Sequence, residues 1–179
     1  MEFQKVIESR RSIRKYDPSQ KVTKAQLREM IGAAMLAPSW KNSQTARYYC
    51  VVSEEMVSKV RAECLPEFNA NNSAGAGALI VTAFLKNCAG YDRTGEPMNE
   101  LGNGWGIYDL GLANENLLLK AEEMGLGTLV MGIRDEKKLC ELLNIPDEET
   151  LVSVIAVGYA DIAPAMPARK TLDDVAVFL

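Results

Sequence analysis

The stretch from residue 106 to residue 124 limits the possible folds of this 179-residue chain more than any other. Ile107, Leu110, Ala113, Leu117, Leu118, Ala121 and Met124 fall on one arc at about 100° per residue, which predicts a helix with an apolar stripe. Leu112 and Leu119 fall on a different side. A helix that is apolar on two faces has to be covered twice, and one small sheet covers only one face. Gly125 stands where a helix C-terminus usually places a glycine.

Shorter apolar runs lie on either side of that helix. Residues 46–52 (ARYYCVV), 78–84 (ALIVTAF), 128–133 (TLVMGI) and 151–160 (LVSVIAVGYA) read as strands. Phe3, Val6 and Ile7 predict a short N-terminal helix. Thr23 and Gln26 match a capping box, followed at helical spacing by Leu27, Met30, Ile31, Ala34 and Met35 and stopped before Pro38. Ser53 caps a further helix, and DEKKLCELLNIP predicts another that ends near Pro146. Strands and helices are interleaved, so the class is α/β or α+β. With no repeat and no linker, one domain over residues 1–179 is expected.

Composition narrows the function. The formal net charge of −4 and pI near 5.0 argue against a general nucleic-acid binder. The N-terminus lacks the apolar run of a signal peptide, and no segment approaches the roughly 18 apolar residues that cross a bilayer, so a cytoplasmic protein without membrane partners is expected. Cys50, Cys64, Cys88 and Cys140 are far apart and form no C-x-x-C; they are expected to be free, buried thiols. The chain has no histidine, which removes imidazole-based hydrolase triads and histidine zinc sites; no metal is expected. Difficult chemistry would then belong to a borrowed cofactor. GAGALIV precedes a strand, and GNGWG follows none, so neither is a dinucleotide fingerprint.

Against this acidic background, SRRSIRKY (residues 9–16) gathers Arg10, Arg11, Arg14 and Lys15 around a hydroxyl. The plain reading is a solvated basic face. The sharper one is a phosphate held by forked guanidinium donors and a hydroxyl.

Five segments in order, SRRSIRKY, APSWKNSQ (37–44), FNANNSAGAGALIV (68–81), GLGTLVMG (125–132) and PARKTL (167–172), together resemble the nitroreductase family of FMN-dependent, NAD(P)H-oxidising enzymes. The resemblance covers nearly the whole chain. It implies an α+β fold in three layers, a mainly antiparallel central sheet flanked by helices, and an interlocked homodimer with two flavins at its interface. It implies FMN as cofactor and NADH or NADPH as co-substrate. Arg10 and Ser12 match phosphate ligands, and Arg14 matches the cation at the flavin's pyrimidine end. Arg169, with Lys170 beside it, matches the cation that returns from the C-terminus to the phosphate. Arg11 of the same basic motif is counted with the cofactor-binding residues, although it and Lys15 would alternate away from that set, toward the surface or a subunit contact.

The resemblance further implies that Asn69 bonds the polar edge of the isoalloxazine, and that Asn72 stands where some members have lysine. Leu129, Val130, Met131 and Gly132 match backbone lying against a flavin face, with an amide offered toward N5. Pro38, Ser39, Trp40 and Asn42 match residues that reach the flavin from the partner subunit. Where the family often has a glutamate before that glycine, this chain has Met131. Where it has a proline after the glutamine, this chain has Thr45. The implied activity passes a hydride from NAD(P)H to flavin N5, and electrons onward to a nitroaromatic, quinone or similar acceptor. A flavin-binding sensor or carrier without turnover is the alternative, as is a relative with other flavin chemistry such as reductive dehalogenation.

Overall fold

The apolar runs form four strands: β1 (Ala46–Val51), β2 (Ala78–Leu85), β3 (Gly127–Met131) and β4 (Glu149–Gly158). These are seen in a computed structural model that describes residues 2–179. They pair in the order β1-β2-β4-β3, and every neighbouring pair is antiparallel. Six helices surround the sheet: α1 (Phe3–Ser9), α2 (Lys24–Ala34), α3 (Glu54–Cys64), α4 (Glu67–Asn72), α5 (Gly104–Glu123) and α6 (Glu136–Leu143).

Alternation along the strands divides the core in two. Ala78, Ile80, Ile155 and Val157 face α2 and α5, meeting Leu27, Met30, Leu117 and Ala121. Leu79, Val81, Leu129, Met131, Val154 and Ala156 face the other way, onto Val57 and Val60 of α3 and Leu139 of α6. Both faces of the sheet are therefore covered, giving three layers.

Local chemistry sets the helix starts. Thr23 and Gln26 form the reciprocal capping box at α2. The Ser53 and Asp135 side chains accept backbone N–H groups from Met56 and Lys138 at the starts of α3 and α6. α5 lies close to the sheet because Gly106 has no side chain. A Cβ there would stand 2.2 Å from Cδ2 of the buried Phe84 ring.

The N-terminal segment lies along the outer edge of β3. Ser12 bridges Thr128 in parallel, the Ile13 amide donates to the Thr128 carbonyl at 2.9 Å, and Tyr16 bridges Ala160. Gly127 permits this approach, since a Cβ on it would lie 2.6 Å from Cγ1 of Ile13. Beyond Ala160 the chain is largely exposed, carrying Ile162, Met166, Val175, Val177 and Phe178 into solvent.

Several expectations are corrected. Only Cys64 is buried; Cys140 is half-buried, and Cys50 and Cys88 are exposed. Cys50 sits on an edge strand and Cys88 in the turn after β2, and neither location offers a second layer. Ile107 is 50% exposed instead of joining the core stripe of α5. α5 begins two residues before the predicted start, at Gly104. β3 stops at Met131, and β4 starts at Glu149 and ends at Gly158. α4 was not anticipated: EFNANN has no apolar stripe and is set by its place after Pro66. No helix among the described residues is long and apolar enough to cross a membrane.

Candidate functional site

The basic motif is sorted by the edge it follows. Ser12 pairs with Thr128, which in turn pairs with Val157 on the α5 side of the sheet. Arg10 and Ser12 therefore share that side, as does Arg14 by the same alternation. The Arg10 Nε lies 4.0 Å from Oε1 of Glu115 on α5, at the outer limit of an ion pair. Arg14 is exposed, its guanidinium donating to the Ser12 carbonyl at 3.4 Å. Arg11 has the opposite parity, with Ile13. Its Nη1 donates to the carbonyls of Glu8 and Arg10 at 2.7 and 2.8 Å, and it lines a separate hollow with Ala160, Ile162 and Pro164. Lys15 pairs with Asp161 at 2.8 Å.

The far end of β3 supplies open backbone. Leu129 and Met131 point into the core, which leaves only main chain and the 46%-exposed Val130 to face outward. No atom lies within 4 Å of the position a Cβ would take on the exposed Gly132. Asn69 is tied to this end: it is buried, and its Nδ2 donates to the Ile133 carbonyl at 2.8 Å. Asn72 is half-buried at the last position of α4. Six predicted residues, Arg10, Ser12, Arg14, Asn69, Val130 and Gly132, thus converge on β3. Arg169 and Lys170 do not join them within one chain. Both are exposed, and the Arg169 guanidinium donates to the nearby Pro167 carbonyl at 3.0 Å.

The loop carrying Pro38, Ser39, Trp40 and Asn42 is elsewhere. It leads into β1, at the opposite edge of the sheet from β3. Three strand spacings separate the two, about 14 Å, and α5 packs over the sheet between them. The loop is tightly wound: Lys41, Asn42 and Gln44 have φ of 46°, 58° and 50°. Non-glycine residues in that left-handed region cost about 1–3 kcal/mol each and persist only where the surroundings impose them. The Ser39 hydroxyl accepts the Gln44 amide at 3.0 Å. Trp40 leans on Trp105 with ring centroids 4.6 Å apart. Trp105 in turn meets Tyr108 edge-on and donates its indole N–H to Asn99 at 2.9 Å.

One residue of this region escaped the sequence reading. Asp109 of α5 is 6% exposed, and its Oδ2 accepts the Trp40 backbone amide at 2.8 Å. Burial pushes its carboxyl above the usual range, partly offset by that amide. The available signal was a single carboxylate bordering the apolar stripe, one turn before Ala113.

The fold and these segments agree with comparisons to known proteins. The family model described as the nitroreductase family matches residues 7–159. The chain belongs to the nitroreductase family. A protein of Archaeoglobus fulgidus with the provisional name NADH dehydrogenase/NAD(P)H nitroreductase is 34% identical over 160 residues, covering 87% of this chain and 83% of its own. The FMN reductase [NAD(P)H] of Bacillus subtilis is 29% identical over 171 residues, covering 87% of this chain and 64% of its own. A nitroreductase-type structure from Exiguobacterium sibiricum, solved in complex with FMN, superposes with a TM-score of 0.88 at 22% identity. It covers 100% of this chain and 98% of its own, and so shares the fold.

Proposed function

We propose that this nitroreductase-family chain is an FMN-dependent NAD(P)H oxidoreductase that works as a homodimer. The observation that carries the reading is the split of the family's cofactor-facing residues between opposite edges of one sheet. Arg10, Ser12, Arg14, Asn69 and Gly132 gather at β3, and the loop from Pro38 to Asn42 stands at β1. A second subunit can bring its loop to the first subunit's β3 edge. The outer face of α5 gives it a surface to pack on, since Tyr108 is 59% exposed and Leu112 and Leu119 are only half-buried.

The donor set suits FMN. A phosphate carries about −1.5 to −2 charges, and each charge-assisted hydrogen bond to it contributes roughly 1.5–3 kcal/mol. Among the described residues Arg10 has no carboxylate nearer than Glu115 at 4.0 Å, so its guanidinium donors are not spent there. Gly132 leaves room for a flat ring system to approach the main chain. When bound, FMN supplies hydride uptake at N5 from NADH or NADPH and electron delivery to a nitroaromatic, quinone or similar acceptor, in two half-reactions. Arg10 and Ser12 would hold the phosphate, Arg14 would face the pyrimidine end, and Asn69 would fix the ring's polar edge. The Gly132 amide would donate toward N5. Arg169 and Lys170 would reach a phosphate only after the C-terminal segment is seated in the dimer. The partner's copy of the loop would close the pocket and hold back water.

The test begins with the purified protein. It should be yellow, sediment at about twice the chain mass of 19.7 kDa, and release FMN on heating. Under anaerobic conditions NADH or NADPH should bleach the bound flavin, and menadione or nitrofurazone should restore the colour. Flavin that binds but is never bleached would make the chain a sensor or carrier. A monomer holding no flavin would overturn the proposal altogether.

A further inference from the structure

The loop that would complete the partner's site is packed on one side only, where the Trp40 indole leans on Trp105. Beneath it lies a cavity of about 270 Å3, walled by Ile31, Met35, Ala113 and Tyr48 and roofed by Pro38, Ser39, Gln44 and Thr45. Its underside is therefore open, and the Thr45 hydroxyl and Tyr48 hydroxyl beside it are buried without hydrogen-bond partners. A loop with three non-glycine residues at positive φ, over a void, should relax unless something fixes it.

Among the described residues, one side chain bonds the backbone of the Pro38–Asn42 segment from α5. The Asp109 carboxylate accepts the Trp40 amide at 2.8 Å, at the N-terminus of the Trp40–Asn42 turn. Asp109 sits on the rigid helix α5, one turn from the buried Ala113, so its position is set by the core. The other contacts around the loop are different in kind. Ser39 to Gln44 lies within the loop, Trp40 rests its side chain on Trp105, and the exposed Lys41 ammonium donates only to the Met98 sulfur at 3.2 Å.

We infer that Asp109 is a positioning residue, which anchors the Pro38–Asn42 loop through the Trp40 amide so that the loop is already shaped before it meets the partner's flavin. The inference deepens the dimeric flavoprotein reading and rests on it for its consequence in catalysis. The anchoring itself is a property of the FMN-free chain. A buried acceptor suits the task, because a hydrogen bond shielded from water is electrostatically stronger than an exposed one.

The experiment reads the loop directly. Lys41 is exposed, so trypsin cleavage after it, followed by mass spectrometry on FMN-free protein, reports how often the loop opens. Asp109→Ala should speed that cut by up to about tenfold, the factor one buried hydrogen bond carries. Asp109→Asn, whose amide oxygen still accepts, should keep most of the protection. In the FMN-loaded dimer, Asp109→Ala should lower kcat/KM with a melting temperature near wild type, and Asp109→Asn should recover much of it. Equal cleavage rates in wild type and Asp109→Ala would overturn the inference. So would a general rise in cleavage at all sites, with both variants melting early, because that marks Asp109 as ordinary structure. Wild-type protein without flavin would sink the functional reading and leave the proteolysis result to stand or fall by itself.

Discussion

Replacing Gly106 by alanine adds one methyl group at the tightest helix–sheet contact. That methyl would lie 2.2 Å from Cδ2 of Phe84, 2.4 Å from Cε2 and 3.0 Å from Cγ. Carbon atoms in good contact sit about 3.5–4.0 Å apart, so helix or ring must yield by roughly 1.3 Å. Phe84 is 1% exposed and has nowhere to turn. The helix must therefore lift, and a gap of about 0.5–1 Å already forfeits a quarter to a half of the dispersion at each contact. Overpacking of this kind costs about 1–3 kcal/mol, and the displacement needed here favours the upper part. Alanine returns at most about 1 kcal/mol of helix propensity, less in a first turn. The net loss is about 2 kcal/mol, which for a chain of this size lowers Tm by about 4–8 °C. Thermal unfolding followed by circular dichroism, at one protein concentration because dimerisation shifts Tm, measures it. Gly32→Ala is the matched control, because no atom lies within 4 Å of its Cβ position in α2. It should gain about 0.4–1 kcal/mol. A Gly106→Ala protein that melts at or above wild type would show that the close approach of α5 to β2 is not a constraint.

Three further outcomes can be measured. Arg10→Ala should weaken FMN binding by roughly 10- to 100-fold in a fluorescence titration, while Arg11→Ala should stay within about threefold. The same titration on Arg169→Ala tests whether the C-terminal cation joins the phosphate site, and unchanged affinity would remove it. With a thiol reagent on native protein, the exposed Cys88 should react first. Cys64, 1% exposed with its thiol pushed up by burial, should react only on unfolding. Fast native labelling of Cys64 would contradict the packing of α3 against the sheet.

The strands and most helices were legible because their signals are local. The capping box at Thr23 and the stripe from Leu110 to Ala121 need no knowledge of the rest of the chain. The fate of individual faces was less legible. Cys50 belongs to an apolar run, yet strand order alone decides that β1 is an edge. Ile107 fits the stripe of α5, but there its neighbour Gly106 is the residue that meets the sheet, and Ile107 is left half-exposed. α4 is held by its neighbours, so its own residues gave no pattern to read. At the site, the resemblance pointed to Arg10, Ser12 and Asn69, and the structure gathers them at β3. Asp109 stayed hidden because a carboxylate near an apolar stripe looks like a helix border until the Trp40 amide is placed against it.

In the proposed dimer, the separation of the β3 edge from the Pro38–Asn42 loop means that neither pocket belongs to one polypeptide. A subunit with a faulty loop damages its partner's pocket and leaves its own to be completed by the partner. Two inactive chains, one lacking the phosphate cations and the other lacking a shaped loop, would restore one sound pocket in each mixed pair. Random pairing of equal amounts makes about half the dimers mixed, so about a quarter of the pockets would work. In a cell carrying both copies, each defect would be partly masked by the other, and a defective loop expressed beside the normal chain would weaken pockets whose own residues are intact.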